Sequence, residues 1–77
     1  MVEIDEKTAK KIAEDAIFEK YPEIKGGEVE CREIRYRDGT FEAFEVTIKK
    51  TTKPEIEDVV VARIGKDGKS KIIAVSG

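Results

Sequence analysis

Seventy-seven residues make one domain, and a chain this short buries only about 60–65% of its unfolded surface, leaving a core worth roughly 3–5 kcal/mol net. Charged residues are 42% of the chain, yet 15 basic against 17 acidic leave a net charge of −2, which excludes a global field that would gather nucleic acid or anionic lipid. A single Cys excludes an internal disulfide, and with no His nearly all common zinc, copper and iron sites are excluded too. The opening Met-Val-Glu-Ile-Asp-Glu-Lys carries neither the basic nor the apolar segment of an export signal, and no apolar run nears the ~18 residues of a membrane span. A cytoplasmic protein is expected, with no membrane partner. Leu, Asn, Gln and Trp are also absent; many Lys and Glu with no labile amides fit a heat-adapted source, and an engineered sequence would share the charge richness but would usually fill its helix with Leu.

In chain order, Asp5 can cap a helix whose first turn holds Glu6, with Ile4 placed to staple against Ala9. Ala9, Ile12, Ala13, Ala16 and Ile17 recur at spacings of three and four, a narrow stripe of small residues that lets a helix lie close to a sheet. Pro22 disfavours helical geometry at Tyr21, so the helix ends near Lys20. Phe18 falls opposite the stripe. Gly26-Gly27 then gives a flexible entry to the first strand.

Residues 28–50 read as an antiparallel hairpin around Asp38-Gly39, taken as a two-residue type I′ turn. That turn sets Glu28 opposite Lys49, Arg32 opposite Glu45 and Arg35 opposite Glu42. It places Val29, Cys31, Phe44, Val46 and Ile48 on one face and Ile34, Tyr36, Phe41 and Ala43, nearer the tip, on the other. A β-bulge in either strand would restore a single apolar face. Thr51 to Glu57, with Pro54, reads as a polar connection. A second hairpin follows from Asp58 around Asp67-Gly68 to Val75, with Val60, Ala62, Ile64, Ile73 and Val75 on one face and Val59, Val61, Ile72 and Ala74 on the other. The expected fold is α+β: one N-terminal helix on a curved, four-stranded antiparallel sheet made from two hairpins. One helix covers one face, and strands apolar on both sides want cover on both.

No residue set specifies a chemistry, and neither an enzyme nor a cofactor is expected. Gly65-Lys66-Asp67-Gly68-Lys69-Ser70 ends like a phosphate-binding loop, but Arg63 stands where the first Gly belongs and a strand follows where a helix is needed. Cys31 has no His to make it a thiolate and fits a small core residue. Glu55, Glu57 and Asp58 lack the alternating ligand spacing of a calcium loop. Arg32, Arg35 and Arg37 with Tyr36 and Phe41 offer cations and stacking surfaces to a nucleic acid, but two of those Arg face acids across the ladder and affinity needs unpaired cations. Ile34, Tyr36, Phe41 and Ala43 together can expose an apolar patch of about 300 Å², the scale of a working surface on a small protein. The expected partner is a protein, in the simplest case a second copy, giving a homodimer about a two-fold axis.

Thr8-Ala9-Lys10-Lys11-Ile12-Ala13 in the helix, Tyr21-Pro22 at its end, the Phe44-Glu45-Val46 strand and Asp67-Gly68-Lys69 in the last turn are similar to those of PepSY-type and cystatin-like α+β modules. The resemblance spans most of the chain. It implies one helix packed across a curved antiparallel sheet and a role as an inhibitor or regulator of proteases, with no catalytic residues to carry over.

Overall fold

Asp5 caps the first helix by accepting a hydrogen bond from the Thr8 backbone N–H at 2.7 Å, one of the donors that a helix N-terminus leaves without a partner. The computed structural model describes residues 4–76, and Met1 to Glu3 and Gly77 lie outside it. Helix α1 (Glu6–Lys20) ends where expected, the Tyr21 N–H bonding back to the Ile17 carbonyl. Hydrogen bonds from the Thr8 hydroxyl and backbone N–H hold the Asp5 carboxyl below its ordinary pKa. A lowered folded-state pKa contributes stability that is fully present above the unfolded value and is lost as pH falls through the folded one. Thermal unfolding of an Asp5→Ala variant is therefore expected to show a lower Tm at neutral pH, and the gap from the parent should close on acidification to about pH 2.

A short 3-10 turn, Pro22–Ile24, follows α1 and buries Ile24. The chain then forms β1 (Glu28–Arg35), β2 (Phe41–Lys53), β3 (Ile56–Gly65) and β4 (Ser70–Ser76). They make one antiparallel sheet in the order β1-β2-β3-β4, a meander that confirms the expected α+β fold. Ala9, Ala13 and Ile17 of α1 bury completely against Phe44, Val46, Ile48, Val60, Ala62 and Ile64. Ile12 packs around this cluster, and so does Phe18, although it lies off the stripe.

The sheet outruns its helix. Fifteen residues of α1 rise about 22 Å, whereas the thirteen of β2 extend about 43 Å, which is the long dimension of the molecule, 43 Å. Residues 51–57 lie at an end where every side chain is exposed. They are not the polar connection read from the sequence: Thr51 pairs with Glu57 and Lys53 with Ile56, so only Pro54-Glu55 turns. Their polarity reflects solvent on both faces. Proline fixes φ at the first turn position, and Glu55 takes a φ of 64° at the second, a conformation costing a side-chain-bearing residue roughly 1–2 kcal/mol. Glycine there gives back part of that gain as unfolded-state entropy, so Glu55→Gly is expected to raise stability by about 0.5–1 kcal/mol, read as a higher urea midpoint.

Both Asp-Gly hairpins are built alike, and neither has the two-residue loop expected. Arg37-Asp38-Gly39 and Lys66-Asp67-Gly68 are three-residue loops, closed by Tyr36 N–H to the Thr40 carbonyl at 2.8 Å and Gly65 N–H to the Lys69 carbonyl at 3.0 Å. In each, the Asp carboxylate accepts the N–H two residues on and Gly takes a positive φ, the pattern of a type I turn followed by a left-handed glycine. The Gly65–Ser70 segment is thus a hairpin turn. In each hairpin the strand after the turn then bulges. Arg35 pairs with Phe41 but Ile34 with Ala43, leaving Glu42 as the extra residue. Ala62 pairs with Ile72 but Val61 with Ala74, leaving Ile73 extra. The first bulge cancels the longer loop, so Glu28 to Ile34 keep their expected partners. The second brings Ile72, expected on the open face, to the helix side, where it packs on the core, and leaves Ile73, expected beside Val60 and Ala62, unpaired in the ladder and exposed.

Candidate functional site

The side of the sheet away from α1 is where the four tip residues were expected to gather, and three of them do. β-Pairing sets Ile34, Ala43 and Gly65 in one row across β1, β2 and β3. Tyr36, two residues beyond Ile34, is 56% exposed. Phe41 departs: the Glu42 bulge turns it to the helix side, where its ring lies 4.9 Å from that of Phe44, inclined at 60°, and packs against the core. Ala43 is only 6% exposed yet stands outside the core cluster, a short side chain shielded by its taller neighbours. The patch thus shrinks to Ile34, Tyr36 and Ala43, with Tyr36 as its only largely exposed member.

The next row on the same side is charged. Arg32, Glu45, Arg63 and Lys71 lie across all four strands. Glu45 accepts from Arg32 at 2.9 Å and lies 3.5 Å from Arg63, whose guanidinium is also 3.8 Å from Glu42. The Glu45 side chain is 13% exposed, because two Arg stems lie over this part of the sheet. That belt explains how the open side tolerates water where no helix covers it. Beyond it the rows become apolar towards β4: Glu30, Thr47, Val61 and Ala74, then Glu28, Lys49, Val59 and Ser76. The open side therefore carries two apolar areas, the tip and the β3–β4 half, with ion pairs between them.

The expected Arg35–Glu42 pair does not form; Arg35 instead bonds Glu33 at 2.9 Å and the Gly39 carbonyl at 2.8 Å. Lys49 stands opposite Glu28 but makes its ion pair with Glu30, at 3.9 Å. Arg32 and Arg35 both have carboxylates on their guanidinium groups, which lowers what they can offer to phosphates.

Cys31 packs against the core from β1. Partial burial first, and the Glu6 carboxylate second, push its thiol above the ordinary pKa, the opposite of what a nucleophilic cysteine needs. Among the described residues, no three acidic or sulfur ligands come together as they would around a metal ion, and no helix is long and apolar enough to cross a membrane.

Two contributors escaped sequence reasoning. Ile24 lies beyond the helix stripe, and only Pro22 as a start signal for a further turn pointed to it. Arg63 joins Glu45 through the β2–β3 register, which was hidden by reading Thr51 to Glu57 as a loop. The chain matches no protein-family model, no curated protein and no solved structure.

Proposed function

We propose that this chain is a small, non-catalytic protein-interaction module that works in the cytoplasm and associates with a second copy of itself. One observation carries the reading: a single helix covers one side of a four-stranded sheet, while Tyr36 at the hairpin tip and Ile73 and Val75 on the outer strand β4 stay 56%, 42% and 52% exposed. Apolar side chains held on a rigid sheet lose little entropy on docking, and a core limited by chain length gains from added burial. The raised thiol of Cys31 and the mutual pairing of Arg32, Glu45 and Arg63 support a binding role over a chemical one. A lone, unpaired cysteine suits a reducing compartment. The order of one helix then four antiparallel strands supports a PepSY-like or cystatin-like module.

The test is the mass in solution, measured by light scattering across a dilution series. Twice the chain mass at high concentration, falling towards one chain on dilution, is expected. A single-chain mass at every concentration overturns the reading.

A further inference from the structure

The two edges of the sheet are guarded very differently. Five of the eight residues of β1 are charged, Glu28, Glu30, Arg32, Glu33 and Arg35, a composition that discourages another strand from adding there. β4 has one charge in seven residues, Lys71, no proline, and Ile73, Ala74 and Val75 all exposed, so the bulge at Ile73 is its one guard. A row of backbone N–H and C=O groups along such an edge is complemented best by another extended strand.

Resting on the reading that the chain self-associates, we infer that the contact is β4 against β4 of a second copy, antiparallel, joining two four-stranded sheets into one of eight strands. The register follows from the bulge. Ile72 and Val75 take the helix side, opposite Ala62 and Val60, while Lys71 and Ser76 take the open side, opposite Arg63 and Val59. Opposed residues in adjacent strands share a face, so Ile72 meets Val75 of the second copy and Lys71 meets Ser76 of the second copy. Both strands have the same bulge between these pairs, so their lengths match, and the two-fold axis passes through the Ile73-Ala74 stretch. Each lysine meets a hydroxyl and never its own mate.

The same arrangement explains why assembly stops at two. Pairing β4 with β1 of a second copy would leave another β4 free and grow without limit, whereas β4 with β4 closes. The outer edges of the dimer are then both β1, the guarded kind.

Opposite charges introduced at the axis test this. Ile73 is exposed, so Ile73→Lys and Ile73→Glu variants are expected to fold, which their thermal unfolding checks. Each alone should show the mass of one chain where the parent shows two, because like charges meet across the axis. An equimolar mixture of the two should recover the two-chain mass. A dimer that survives both substitutions overturns the β4 contact while self-association stands; if Tyr36→Ser then yields single chains, the tip is the contact. Variants that stay single even when mixed also overturn it, and a parent that is single at all concentrations overturns both statements.

Discussion

Replacing Ile17 with alanine is expected to destabilise the protein by about 2–5 kcal/mol, the range for removing a large aliphatic side chain from a closed core. Ile17 is fully buried, the last member of the stripe that joins α1 to Phe44, Val46 and Ile48 of the sheet. The helix presents only two alanines besides it to the fully buried layer, so the variant removes the one large side chain that α1 buries completely. A domain of this length has little stability to spare, roughly 3–5 kcal/mol from its core, so the variant should have lost most of its cooperative urea transition. The control is Ile56→Ala, exposed at the start of β3, where a change within about 0.5 kcal/mol is expected.

Gly27→Ala is expected to cost about 1–3 kcal/mol, through crowding rather than lost contact. A Cβ built at Gly27 runs into the Lys49 carbonyl oxygen and lies 3.0 Å from its carbon. Both are main-chain atoms of β2, so relief requires moving the start of β1 away from its partner strand. The Glu28–Lys49 pairing should open first, visible as faster amide exchange at the beginning of β1 than in the parent. At Gly39, by contrast, nothing lies within 4 Å of a built Cβ; substitution there meets only the strain of a φ of 87°.

Much of the fold was legible because local signals and side-chain periodicity agreed. Asp5, the alanine-rich stripe and Pro22 defined α1, and alternation along Phe44, Val46 and Ile48 defined the buried face of β2. The site was less legible. Asp-Gly marks a tight turn but not whether two or three residues form it, since both loop types place glycine at positive φ. The first hairpin kept its expected pairing beyond the tip only because the longer loop and the Glu42 bulge offset one another. The clue to that bulge lay in Phe41 and Phe44: a spacing of three puts two large rings on opposite faces of a regular strand, and a bulge reunites them. Ile72-Ile73 gave no such clue, because two identical neighbours leave the choice of face to the ladder. Edge strands were illegible for a different reason, since sequence alone did not give the strand order; the contrast between β1 and β4 became meaningful only once both were seen to lie outermost.

Phe41 and Tyr36, expected together in one apolar patch, should now behave differently. Phe41→Ser removes a ring from the core and is expected to lower stability, while Tyr36→Ser leaves it nearly unchanged; chemical denaturation of the two variants side by side separates them.

Sedimentation equilibrium of the unmodified chain bears most directly on self-association. Data fitted by two chains in concentration-dependent exchange with one are the expected result. Data fitted at every loading concentration by a lone 8.6 kDa species would contradict it.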